Sequence, residues 1–169
     1  MALPAPFDLR RFVDAHRHLL RPPVGNTRVF EDGDFIVMIV GGPNHRRDFH
    51  VDPGDELFYQ LEGAIELEVI DDGARRTIPI GEGEVFLLPA GVPHSPRRGP
   101  GTVGLVIERR RQGGEEDALR WYCDACGALV HERRFALRDI TRELAAAIEA
   151  VAADVSLRTC PACGAVAPP

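Results

Sequence analysis

The sequence has no lysine; all 20 of its basic residues are arginine. Schiff-base chemistry, pyridoxal-phosphate enzymes included, therefore has no amine to work with. A Walker-type phosphate loop is excluded by the same absence. Serine is nearly as scarce: Ser95 and Ser156 are the only two, and neither sits in a nucleophile elbow. The longest apolar run, Phe35 to Val40, is far too short to span a bilayer. The first residues show no signal-peptide apolar stretch, so a cytoplasmic protein without a membrane partner is expected. A net charge of −6 speaks against nucleic acid, whose phosphates need a basic surface. Metal chemistry or ligand binding remains.

What is present fits one ordinary domain with a small appendage: 169 residues, 44% of them hydrophobic. Residues 7–21 read as a short amphipathic helix with Asp8 near its start, stopped by Pro22-Pro23. From 27 to 111 the signals are β throughout. Short apolar runs at 28–30, 35–40, 57–61, 64–70, 76–80, 85–88 and 103–108 alternate with clusters such as Asp52-Pro53-Gly54, Asp71-Asp72-Gly73 and Gly81-Glu82-Gly83. That spacing predicts a sandwich or barrel. Gln112 to Asp117 reads as a linker, dividing the chain into units 1–111 and 112–169. In the second unit, residues 139–154 form a predicted helix. Asp139 is available as its N-cap, and Ile140, Leu144, Ile148, Val151 and Val155 fall at helical spacing.

Two segments carry the chemistry. The first runs from His50 through Asp52-Pro53-Gly54 to Glu56 and on to Gly63; the second runs from Gly83 through Pro89 and Gly91 to His94. On an extended strand through 46–50, Arg46, Asp48 and His50 share one face, and Glu56, Phe58 and Gln60 share a face of the next. The intervening turn can bring these faces together. His50, Glu56 and His94 would then supply two imidazoles and one carboxylate, the donor set of a mononuclear iron(II) site with positions open for substrate and oxygen.

The four cysteines form a separate pattern. Cys123-x2-Cys126 and Cys160-x2-Cys163, each followed by glycine, give a strong tetrathiolate signal. The knuckles are rubredoxin-like, so iron or zinc fits. Disulfides are disfavoured in a cytoplasmic protein. A structural clip is the favoured role.

The spacing His-x5-Glu-x6-Gly, followed by Gly-x5-Pro-x-Gly-x2-His, resembles the two motifs of the cupin superfamily. One departure is that Asp48 stands where the usual first motif has another histidine, which leaves three ligands. The stretches Leu20–Asn26, Gly41–Arg46, Phe58-Tyr-Gln-Leu, Phe86-Leu-Leu-Pro, His94-Ser-Pro and Trp121-Tyr-Cys-Asp-Ala-Cys-Gly resemble the bacterial 3-hydroxyanthranilate 3,4-dioxygenases over nearly the whole chain.

The resemblance implies a mainly β cupin barrel with a short N-terminal helix and a small C-terminal metal-binding unit, assembled as a homodimer. It implies extradiol-type opening of 3-hydroxyanthranilate by Fe(II) and O2, feeding quinolinate and NAD synthesis or tryptophan breakdown. It also implies that Arg46 and Arg98 bind the substrate carboxylate, with Arg97 the less favoured neighbour. Glu108 would contact the substrate's hydroxyl or amine, Asn26 would help orient oxygen above the metal pocket, and Glu56 would face the substrate as well as the metal. His16, His18, His45 and His131 are read as structural or surface residues. A related oxygenase for another ortho-aminophenol or catechol carboxylate, a non-catalytic sensor of aromatic acids, and a zinc-ribbon adaptor are the alternatives.

Overall fold

From the second strand to the fifth, and again from the sixth to the tenth, successive strands alternate between two sheets, and that alternation closes the barrel. The computed structural model describes residues 5–21, 25–44, 46–136 and 140–168. The strands are β1 (Asn26–Arg28), β2 (Phe35–Gly41), β3 (Phe49–Val51), β4 (Glu56–Glu62), β5 (Ile65–Asp71), β6 (Ala74–Ile80), β7 (Val85–Leu88), β8 (His94–Arg98), β9 (Val103–Arg109), β10 (Asp117–Tyr122) and β11 (Leu129–Phe135). One sheet has the order β1-β2-β9-β4-β7 and the other β11-β10-β3-β8-β5-β6. The antiparallel pairs β2–β9, β3–β8, β4–β7 and β5–β6 nest inside one another, with partners in one sheet and connections crossing between sheets. This is the double-sheet jelly roll in which cupins are built, as the resemblance implied.

The inward positions of both sheets fill the barrel. Met38, Phe58, Leu67, Val69, Leu88 and Val106 are each no more than 4% exposed and belong to one cluster. A second, smaller cluster lies outside the five-stranded sheet. There helix α1 (Leu9–His16) sets Val13 against Ile39 and Val103. Asp8 caps α1 as expected, its side chain accepting from the Arg11 amide at 3.1 Å. Among the described residues the rest of that outer face is partly exposed. Val37, Ile107, Leu57 and Leu87 form one row across four strands, flanked by Phe35 and Val85, which are 60% and 61% exposed.

Several expectations change in detail. The N-terminal helix is shorter than 7–21 and passes into a 3-10 turn at Arg17–Leu19. The strand expected over 46–50 begins only at Phe49, and β8, β10 and β11 are strands that no apolar run in the sequence announces. The division at 111/112 falls in a turn, yet β10 pairs with β3, so the six-stranded sheet runs on into the C-terminal residues. Asp117, the end of the expected linker, opens that strand. Helix α2 (Ile140–Ala153) buries Leu144, Ala147 and Val151 in the cluster that holds Leu119 and Trp121. Val155 lies beyond its end and is 56% exposed. Pro22, Pro23, His45, Asp139 and the side chain of Ile140 lie outside the described residues. Gly99-Pro-Gly-Thr-Val-Gly104 has the spacing of a dinucleotide-binding loop, but it leads into strand β9 and not a helix, so it lacks that loop's setting. Among the described residues no helix is long and apolar enough to cross a membrane.

Candidate metal centres and substrate pocket

The jelly roll brings the two motifs face to face. His50 on β3 stands directly opposite His94 on β8 in the six-stranded sheet, their rings 5.3 Å apart. The chain then turns at Asp52–Asp55 and enters the other sheet, where Glu56 is the first residue of β4. Asp52 folds that turn by accepting from the Gly54 amide at 2.7 Å. The two motif turns are also tied to each other. The Gly91 amide donates to the Asp52 carbonyl at 2.8 Å and the Ala90 amide to Asp55 Oδ1 at 2.9 Å. Gly91 holds φ at +78°, a left-handed conformation in which a side chain would be strained.

His50, Glu56 and His94 are 4%, 5% and 2% exposed, and one donor atom from each lies within 4.8 Å of the others. Glu56 Oε2 is 2.8 Å from His94 Nε2, but no directed hydrogen bond reaches this buried oxygen. A carboxylate oxygen kept dry and unsatisfied beside two imidazoles fits a cation. Burial acts to raise the Glu56 carboxyl, but the charges of His94, His50 and Arg111 outweigh it and hold the group below the usual range. His94 Nδ1 lies 3.1 Å from the Val92 carbonyl, which leaves Nε2 facing Glu56.

Glu108 is next to Glu56, paired across β9 and β4, and is 2% exposed. Burial and then the Glu56 charge push its carboxyl well above the ordinary value, against the pull of Arg111. Arg98 is 4% exposed. Its Nη1 reaches the Gln60 amide oxygen at 3.3 Å, and its Nε has no hydrogen-bond partner. Burial lowers its pKa to about 10, with Glu56 opposing. Gly104 makes room for this side chain, since a Cβ there would lie 2.8 Å from Arg98 Nη1. Arg46 differs: it already forms a two-pronged pair with the fully buried Asp48. Arg97 points away to Glu68 at 3.0 Å. Asn26 begins edge strand β1 opposite Val40. His16 stacks on Phe12 and His131 lies against Trp121.

Sequence reasoning missed Gly104, Arg111, Asp52 and Asp117. An isolated glycine inside a strand is a signal of close approach by another group, and Gly104 carries it. Arg111 is hidden in a run of three arginines, and Asp117 in an acidic turn.

The cysteines converge as spaced. Cys123 and Cys163 Sγ are 3.7 Å apart and Cys126 and Cys160 Sγ 3.6 Å, too far for disulfides. Zinc–sulfur bonds of about 2.3 Å in a tetrahedron give edges of roughly 3.8 Å, so the four thiols fit a metal of this kind. The two knuckles repeat one pattern. The Gly127 amide donates to the Cys123 carbonyl and the Gly164 amide to that of Cys160, at 2.8 and 2.9 Å. Backbone amides of Cys163 and Ala162 draw the Cys160 thiol down to about 7, against burial.

A barrel holding two imidazoles and a carboxylate, with buried arginine beside them, is thus joined to a four-cysteine cluster in one chain. The family model for 3-hydroxyanthranilic acid dioxygenase matches residues 1–152. The chain belongs to that family. Named relatives agree with the match. A 3-hydroxyanthranilate 3,4-dioxygenase of Xanthomonas campestris pv. campestris strain 8004 is 51% identical over 163 residues, 96% of this chain and 92% of its own. The same-named protein of Ruegeria pomeroyi is 47% identical over 169 residues, covering 99% and 94%. A cupin-2 domain protein of Shewanella frigidimarina superposes with a TM-score of 0.48 at 22% identity, covering 57% of this chain and 91% of that one. The family match ends before Cys160, while the Xanthomonas and Ruegeria alignments span nearly the whole chain.

Proposed function

We propose that this protein opens the ring of 3-hydroxyanthranilate with O2 to give 2-amino-3-carboxymuconate semialdehyde, using Fe(II) held by His50, Glu56 and His94. The observation that carries this is Arg98: a buried guanidinium with no acid within salt-bridge distance among the described residues, beside a three-donor site. Such a cation is costly to bury unpaired and suits a carboxylate-bearing ligand. The names of the full-length relatives support the same substrate. Bound Fe(II) supplies a reduced Lewis-acidic centre toward adjacent amino and hydroxyl groups, with positions left for both substrate and oxygen.

The chain's own residues do the rest. Arg98 anchors the substrate carboxylate, and Arg46 adds a second cation, its guanidinium held in place by Asp48. Glu108, with its raised carboxyl, is suited to receive the proton that the substrate's hydroxyl or amine loses on binding. Phe58 backs the His94 ring at 5.9 Å and helps keep water from the pocket, and Asn26 orients oxygen from β1. Glu56 serves both metal and substrate. Both atoms of O2 end in the product, so no reductant is consumed. The cysteines hold iron or zinc as a structural clip.

Anaerobic addition of 3-hydroxyanthranilate to iron-loaded protein should give binding alone. Admitting oxygen should then consume O2 and substrate one to one and produce the ultraviolet band of the ring-opened semialdehyde. Binding without oxygen uptake would sink the enzyme reading and favour a sensor.

A homodimer is part of the proposal, cytoplasmic and acting in quinolinate and NAD synthesis or tryptophan breakdown. The row of half-buried Val37, Ile107 and Leu57 ending at exposed Leu87 supports the dimer, since a contiguous apolar sheet face is the kind of surface a second copy covers. Light scattering should give twice the 18.6 kDa of the chain, and Leu87→Glu should return it to the monomer mass. A wild-type monomer would remove this part of the reading.

A further inference from the structure

Among the described residues, Glu56 and the Arg46-paired Asp48 are joined by three more buried carboxylates around the barrel site: Asp52, Glu108 and Asp117, at 3%, 2% and 0% exposure. One guanidinium meets all three. Arg111, its side chain 5% exposed, donates from Nη1 to Glu108 Oε2 at 2.7 Å. Its Nε and Nη2 form a fork on Asp117 at 2.8 and 2.5 Å. Nη2 also lies 2.9 Å from Asp52 Oδ2. Asp117 in turn accepts from His50 Nε2 at 2.7 Å, leaving the other ring nitrogen of His50 for a metal.

The turn that carries this arrangement is folded on itself. Arg109 forks onto Glu115 with two contacts of 2.6 Å, and the Gln112 amide donates to Glu115 at 2.8 Å. Arg111 leaving β9 and Asp117 opening β10 are thereby held side by side.

We propose that Arg111 is a positioning residue for the reaction, whose fork holds Glu108 and, through Asp117, the His50 ring as one unit. This rests on reading His50, Glu56 and His94 as the metal site. A ligand histidine is oriented by the acceptor on its second nitrogen. Asp117 can fill that role only while its own carboxylate is fixed in plane, which a bidentate guanidinium does and an ammonium cannot. Glu108 depends on the same side chain for its placement. Arg111 touches neither Arg46 nor Arg98, so the grip on the substrate carboxylate is independent of it.

The test uses the full chain, stripped of metal and titrated anaerobically with Fe(II) against a competing chelator. Wild type, Arg111→Lys, Asp117→Asn and the double variant are compared. Each single variant should bind Fe(II) roughly 10- to 100-fold more weakly, the range for loss of an outer-shell partner. The double variant should be no weaker than the weaker single, because one line of contacts is broken twice. Iron-saturated Arg111→Lys should lose kcat while KM stays near wild type. Folded Arg111→Lys with wild-type iron affinity and kcat would overturn the proposal, as would losses that multiply in the double variant. Should Arg111→Lys fail to fold, Asp117→Asn decides alone, and unchanged affinity there rejects the role. If wild type binds iron yet turns over no 3-hydroxyanthranilate, the proposed function fails, while the affinity comparison still judges Arg111.

Discussion

Alanine at His50, Glu56 or His94 is expected to remove oxygen-dependent turnover entirely while the barrel stays folded. A three-donor site has no spare ligand, because Asp48, which stands where another histidine is usual, is committed to Arg46. Folding should survive because the surrounding hydrophobic cluster does not depend on these side chains. Glu56→Ala even relieves the repulsion that pushes Glu108 upward. Elemental analysis separates the two proposed metal centres: each variant should lose the iron proposed for the barrel and keep one metal at the cysteines. A variant that retained iron and near-normal rates would show that its residue is not a ligand. Loss of both metals together would show that the cysteine site is not an independent clip.

Removing Arg98 should have the next largest effect. Taking a charge-assisted bond from a bound anion costs about 1.5–3 kcal/mol, or roughly ten- to a hundredfold in affinity, so Arg98→Ala should raise KM by that order. Arg46→Ala should also raise KM, but by less, because Arg46 is shared with Asp48 and Arg98 has no acid within salt-bridge distance among the described residues. 2-Aminophenol keeps the chelating pair and lacks the carboxylate. Wild type should use it poorly, and the arginine variants should lose little further on it. Equal losses on both substrates would mean that the arginines serve the fold or the metal site, and the clamp would be abandoned. Glu108→Ala belongs to the same series and should lower kcat more than it raises KM, as a proton-handling group requires.

The parts of this molecule legible in sequence are the local ones. His50, Glu56 and His94 announce themselves through turn glycines and prolines at fixed offsets, because each motif is a single hairpin or corner. The cysteine knuckles are shorter still. Strand β8 was not legible, since His-Ser-Pro-Arg-Arg alternates neither in hydropathy nor in β propensity. It is a strand because Ile65 to Val69 of β5 pair along it and His50 pairs opposite. Strand β10 was partly lost to an acidic turn. The contacts that define the outer ring of the site, His50 with Asp117 across 67 residues and Arg111 with Asp52, are set by tertiary register, and no local pattern records them. Glu108 is the one carboxylate in the apolar run at 103–108. Its direction into the barrel became definite only when β9 was placed beside β4.

The pairing of β10 with β3 bears on how far this protein can be shortened. Between β8 and β10, β3 is a three-residue strand with both sides occupied. A chain ending at residue 111 would expose the backbone donors and acceptors of the segment carrying His50, and an open strand edge invites pairing with other molecules. It would also uncover Leu119's place in the core and delete the carboxylate behind the His50 ring. The catalytic barrel is therefore not a module that can be cut free of its cysteine-bearing tail. Fusion partners and tags belong at the N-terminus or after the second knuckle, and a truncated barrel would be an aggregation hazard before it was an enzyme.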